Sequence, residues 1–211
     1  MTTNSEDGSS ASFEGLGQSS HWKSDRVKDL EREERDTPRP GFVQLYTGDG
    51  KGKTTASLGL VLRASGYGQR SCIVSFLKGD PNYGELRFIR EHMPLVDFHL
   101  AGRMTFVDPA DPDPEDVAIA RKGLETARDA IASGNYHVVV LDEINVAANL
   151  GLVTCAEVLE MLAAKPHHVE IVLTGRDAPK EFIEAAQLVT EMRQVKHFYE
   201  IGIPARRGIE F

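Results

Sequence analysis

Five short runs of apolar, mostly β-branched residues recur along the chain: 42–46 (FVQLY), 72–77 (CIVSFL), 95–100 (LVDFHL), 138–141 (VVVL) and 171–173 (IVL). Each has the length and turn-like borders of a β-strand. Most of the segments between them carry helical spacing. The clearest is 116–133, where Val117, Ala120, Leu124, Ala127 and Ile131 return every three or four residues on one face. It follows Asp111-Pro-Asp-Pro, a turn signal suited to capping a helix. Nearly continuous apolar strands that alternate with helices imply a mostly parallel sheet covered on both faces. The predicted class is therefore α/β with three layers, and no internal repeat interrupts the pattern.

The pattern also divides the chain. Residues 1–21 are rich in Ser and Gly with scattered apolar side chains, a composition too poor in burial to offset the entropy of ordering, and read as a disordered tail. Residues 22–40 mix charges of both signs, pair Glu31 with Arg35 at helical spacing, and end at Pro38 and Pro40. They read as a helical arm or linker leading into a domain over 41–211.

Composition narrows the function. A net charge of −8 does not supply the basic face that nucleic-acid phosphates demand. No apolar run approaches the roughly 18 residues of a membrane span, and no secretory signal opens the chain, so a cytoplasmic protein is expected. Cys72 and Cys155 are far apart and belong to no Cys/His cluster, and read as two buried thiols rather than a disulfide or zinc site.

Chemistry enters between the first strand and the next helix, at Thr47-Gly-Asp-Gly-Lys-Gly-Lys-Thr-Thr55. Gly48, Gly50 and Gly52 permit a tight loop whose N–H groups, with those of Asp49 and Lys51, can face phosphate oxygens, and the helix that follows adds the positive end of its dipole. Lys53 can reach a phosphate, the Thr54 hydroxyl can ligate Mg2+, and Thr55 closes the set of ATP-binding residues that runs from Gly48. Thr47 stands where a standard phosphate loop of this kind has its first glycine. A second half-site lies at Val138-Val-Val-Leu-Asp-Glu143, where an apolar strand delivers two carboxylates to its C-terminal end, the edge at which ligands collect in open parallel sheets. Alone, such a pair also serves to cap a helix. These motifs imply a magnesium-dependent nucleotide protein and leave open a kinase or ATPase, or an ATP-binding regulatory module without chemistry.

Beyond the loop, further segments narrow the field: FLKG at 76–79 with Gly84-Glu85 after it, LDEIN at 141–145, LTGR at 173–176, LVTEM at 188–192, VKH at 195–197 and GIPARRGIEF at 202–211. Together with GDGKGKTTA at 48–56, their order and separation over 41–211 resemble the corrinoid adenosyltransferases of cobalamin biosynthesis. The resemblance implies a RecA-like P-loop fold, a homodimer, a flavin-type reductant as partner, and ATP and a reduced corrinoid as substrates. It implies attack of cobalt(I) on the 5′ carbon of ATP, with tripolyphosphate leaving. It further implies catalytic roles for Lys53, Thr54 and Glu143, with Glu143 and Thr54 as magnesium ligands and Asp142 as the supporting carboxylate of the metal site.

The chain departs from the family's pattern in places. Where members carry an aromatic pair in a Gly-Phe-Thr-Trp segment against the corrinoid, Gly102-Arg-Met-Thr-Phe106 aligns Met104 and Phe106 with that pair. Read from the residues alone, a Met and a Phe two apart serve equally well as core. The family's Ala-Asp ahead of the Leu-Val-Thr segment is Ala186-Gln187 here, and His197 receives no chemical role. Segment 22–36 resembles the family's N-terminal helix, which covers the active site in a dimer.

Overall fold

The computed structural model describes residues 39–211, so the proposed tail and all but the end of the proposed arm lie outside the described residues. Strand β1 (Val43–Thr47) is followed by α1 (Lys53–Gly66), β2 (Ser71–Phe76), α2 (Gly84–His92), β3 (Val96–Ala101) and α3 (Pro114–Ala132). Then come β4 (Val138–Asp142), α4 (Ile144–Asn149), α5 (Cys155–Ala163), β5 (Glu170–Thr174), α6 (Lys180–Ala185) and β6 (Leu188–Glu191), with a 3₁₀ turn at Phe198–Ile201. The strands form one sheet in the order β3-β2-β4-β5-β1-β6, and every pairing in it is parallel.

Strand alternation explains why these runs are apolar throughout. Leu45, Val74, Val139, Leu141, Ile171 and Leu173 face one core, shared with Leu124 and Ile131 of α3, Val158 of α5 and Phe182 of α6. Their sequence neighbours Tyr46, Ile73, Val138, Val140 and Val172 face the other, shared with Val61 of α1 and Ile89 of α2. The three-layer α/β class read from the pattern is the observed one, with the layering of a P-loop RecA-like fold.

Several boundaries moved for local reasons. Helix α3 begins at Pro114, two residues before the periodicity does, because Asp113 caps it by accepting a 2.8 Å hydrogen bond from the Glu115 N–H, and proline suits the first turn. On its face Ala120, Leu124, Ala127 and Ile131 are buried, whereas Val117 is only half-buried. Cys72 is buried but Cys155, at the start of α5, is partly exposed, which corrects the reading of two buried thiols. Strand β6 was not expected: Leu188-Val-Thr-Glu191 is short, lies at the sheet edge and is exposed, so it lacks the apolar run that betrays a central strand.

Candidate active site

The strand order decides which loops meet. With β4, β5 and β1 side by side, the carboxylates that end β4, Thr174 that ends β5 and the glycine-rich loop that follows β1 share one edge. A cleft of about 700 Å3 opens there, lined by the loop from Asp49 to Thr55, by Glu143, and by Lys78, Arg176 and the segment Gly208–Phe211. Its size suits a nucleotide.

The loop is held from behind by β6. The Gly50 N–H donates to the Met192 carbonyl at 2.6 Å, and the Met192 N–H donates to the Thr47 carbonyl at 2.8 Å. A Cβ on Gly48 or on Gly50 would lie 2.6 Å from that Met192 oxygen, and Gly48 also has φ of 92°. Glycine is thus required by the strand that supports the loop, as well as by phosphate approach. Lys53 is buried, and its ammonium donates to the Gly48 and Gly50 carbonyls at 2.5 and 2.8 Å, spanning the loop from within. Burial lowers its pKa, against the opposing pull of Glu143.

Asp142 is the hub beneath the cleft. Oδ1 accepts from the Thr54 hydroxyl (2.9 Å) and the Thr174 hydroxyl (2.7 Å), and Oδ2 from the Ser75 hydroxyl (2.9 Å) and the Lys78 ammonium (2.8 Å). Burial alone would raise its pKa, yet the Lys78 charge and these donors hold it below the ordinary value. Lys78 is raised in turn, because Asp142 overcomes the cost of burying the ammonium. These four donors meet both Asp142 oxygens, and the bond to Thr54 ties the carboxylate to the start of α1 behind the glycine-rich loop.

Glu143 differs. Its φ is 60°, a conformation non-glycine residues rarely hold, and its N–H donates to the Thr174 hydroxyl at 2.9 Å. The chain thereby reverses after β4, and Glu143 joins the cleft lining while Asp142 stays below it. Burial and the adjacent Asp142 charge raise its pKa. Leu77 and Asp177 also have positive φ, so the strained non-glycine positions among the described residues all follow strands at this edge.

Thr54 gives its proton to Asp142 and accepts from the Lys78 ammonium at 3.4 Å, which leaves one oxygen lone pair; with the Glu143 carboxylate this is a hard oxygen pair that could hold Mg2+. Among the described residues no cluster of three or more His, Cys, Asp or Glu side chains is built to hold a metal alone.

These features place a phosphate-type loop, a two-carboxylate strand end and a nucleotide-sized cleft in one chain. A sequence model of the ATP:corrinoid adenosyltransferase BtuR/CobO/CobP family matches residues 39–211. The chain belongs to that family. A corrinoid adenosyltransferase of Sinorhizobium sp is 38% identical over 177 residues, covering 83% of this chain and 82% of that protein. Those of Pseudomonas aeruginosa and Escherichia coli K12 are 37% and 32% identical over 171 residues, covering 81% of this chain and 84% and 86% of theirs. Like its family, this chain is a transferase, and the family's substrates are ATP and a corrinoid.

The structure brings Asp49 to Thr55, Asp142 and Glu143 together, with Gly48 at the root of the loop. It does not bring Met104 and Phe106 into the cleft. They stand on the loop between β3 and α3 with relative exposures of 75% and 104%, which removes the reading of both as core residues. Lys78, Arg176 and Thr174 join the site although the motifs gave them no role. Their segments, FLKG and LTGR, end β2 and β5 as Asp142 ends β4, and shared position at a strand end was the available signal.

Proposed function

We propose that this chain transfers the 5′-deoxyadenosyl group of ATP to the cobalt(I) of a reduced corrinoid and releases tripolyphosphate. The observation that carries the reading is the joint presence, in a member of this family, of the loop 48–55 and the Asp142–Glu143 strand end around one nucleotide-sized cleft. Cobalt(I) supplies the electron pair for the new cobalt–carbon bond to C5′. The C5′–O5′ bond breaks, its pair leaves on the triphosphate, and the cobalt is formally oxidised by two electrons. No side chain is needed as nucleophile, so the protein acts by alignment and by stabilising leaving-group charge. Lys53 and the loop N–H groups meet that charge, with Lys78 and Arg176 adding cations at the cleft wall. Thr54 and Glu143 would hold Mg2+, which would supply further neutralisation.

In this reading Met104 and Phe106 lie on the corrinoid face opposite ATP and displace the lower axial ligand of cobalt. Removing that ligand lowers the orbital filled on reduction and brings cobalt(I) within reach of a flavin-type reductant. The enzyme works as a cytoplasmic homodimer. No helix among the described residues is long and apolar enough to cross a membrane.

The test is anaerobic incubation with ATP, magnesium and chemically reduced cobalamin, followed by identification of both products. Adenosylcobalamin with one equivalent of tripolyphosphate is expected. ADP, or AMP with pyrophosphate, as the stoichiometric product overturns the proposal in favour of a kinase or ATPase.

A further inference from the structure

The loop 102–113 carries no regular secondary structure, yet it holds two large apolar side chains in solvent. Packing does not hold them there: of its apolar residues Val107 rests against the core, while Met104 and Phe106 are exposed. The loop is fixed at its root. Arg103 donates through Nε to Asp116 Oδ1 at 2.7 Å and through Nη2 to Asp116 Oδ2 at 2.6 Å, a bidentate fork onto a carboxylate that is almost wholly buried. Its Nη1 also reaches Glu115 (2.9 Å) and Asp113 (3.2 Å). One guanidinium thus ties the start of the loop to the first turn of α3.

The helix does not need this arginine for its own start, because Asp113 already caps it and Pro114 occupies the first turn. A second contact fixes where the root lies relative to the cleft. A Cβ on Gly79 would fall 2.4 Å from the Arg103 carbonyl carbon, and one on Gly102 would fall 2.4 Å from the Leu77 carbonyl carbon and the Lys78 nitrogen. The turn that delivers Lys78 to Asp142 and the root of the Met104–Phe106 loop therefore touch backbone to backbone, with no side chain between them to yield.

We propose that Arg103 is a positioning residue for the corrinoid step. Clamped on Asp116, it holds the loop root against the Lys78 turn, so that Met104 and Phe106 are presented at a fixed distance from the nucleotide cleft. The inference rests on the reading that those two side chains face the corrinoid. Arg103 directly precedes Met104 and stands where the Gly-Phe-Thr-Trp pattern has glycine. A planar fork is what the geometry uses, and lysine keeps the charge but cannot make the paired contact.

Three variants test it. Arg103→Lys loosens the clamp, and Arg103→Leu combined with Asp116→Leu removes it without leaving a buried carboxylate unpaired. Phe106→Ala reports on the loop reading itself. For the first two, kcat/KM in turnover started from cobalt(II) should fall roughly ten- to a hundredfold, the scale of a misplaced but intact contact. Turnover from pre-reduced cobalt(I) and the KM for ATP should stay within about threefold, and amide exchange over 103–112 should quicken while that of the sheet is unchanged. If both clamp variants keep cobalt(II) turnover within about threefold while Phe106→Ala loses it selectively, the positioning role is overturned and the loop reading stands. If Phe106→Ala shows no selective loss, the loop reading fails and the proposal with it. A uniform loss across ATP affinity, cobalt(I) turnover and melting marks Arg103 as merely structural and also overturns the proposal.

Discussion

Thr174 offers a sharp test of how the site is held, because one hydroxyl serves both carboxylate residues. It donates to Asp142 Oδ1 at 2.7 Å and accepts from the Glu143 N–H at 2.9 Å, and the residue is wholly buried. Thr174→Val keeps the shape and deletes both bonds. A hydrogen bond to a charged group contributes about 1.5–3 kcal/mol, and a buried donor left without an acceptor costs about 1–3 kcal/mol. The added methyl returns about 0.8 kcal/mol of transfer energy. The net loss should be about 2–5 kcal/mol, or roughly 4–20 °C in Tm for a domain of this size. Thr174→Ser, which retains the hydroxyl, should cost only about 1 kcal/mol for the lost methyl. Denaturant unfolding of the three proteins measures this directly. Magnesium titration of the transferase reaction adds a functional readout, since a freed Glu143 backbone should weaken magnesium dependence in Val but not in Ser. If Thr174→Val unfolds within about 0.5 kcal/mol of the parent, the hydroxyl is not the keystone inferred here.

Lys53→Ala and Thr54→Ala should each lower kcat/KM roughly a hundredfold or more, because each removes a group set to meet leaving-group charge, and steady-state kinetics with ATP and cobalt(I) corrinoid checks this. The raised pKa of Glu143 predicts that the KM for magnesium climbs, as pH falls, at a higher pH than an ordinary glutamate near 4.3 would give, and Glu143→Gln should abolish that dependence. The stability sign runs the other way: a carboxyl with a raised folded pKa opposes folding above its unfolded pKa, and this penalty is relieved as pH falls through the folded pKa, so metal-free Glu143→Gln should gain stability at neutral pH. Gly123→Ala should destabilise by about 1–3 kcal/mol despite its better helix propensity, because the new Cβ would meet Ala101 Cβ at 2.4 Å and Phe76 at 3.2 Å where α3 lies on the sheet; thermal melting decides it.

The sequence by itself determined the class of the fold and the centre of the site. Runs such as Val138–Leu141 are apolar at every position because both sheet faces are covered, and that continuity is visible without coordinates. The loop Gly48–Thr55 is legible because its glycines, lysine and threonine act through local geometry, close along the chain. The same holds for Asp142 and Glu143, delivered by one strand. Only the tertiary structure decided the remainder, because it depends on which strand ends become neighbours. The order β4-β5-β1 puts Thr174 between the carboxylates and the loop, and β2 beside β4 brings Lys78 to Asp142 across 64 residues of chain. Strand β6 escaped notice since an exposed edge strand carries no apolar signature, and its value lies in the Met192 backbone contact that makes Gly50 obligatory. Met104 and Phe106 were undecided in sequence, where core and exposed apolar residues look alike. Burial is a property of the packed chain, and it is packing that left both in solvent and closed Arg103 on Asp116 behind them.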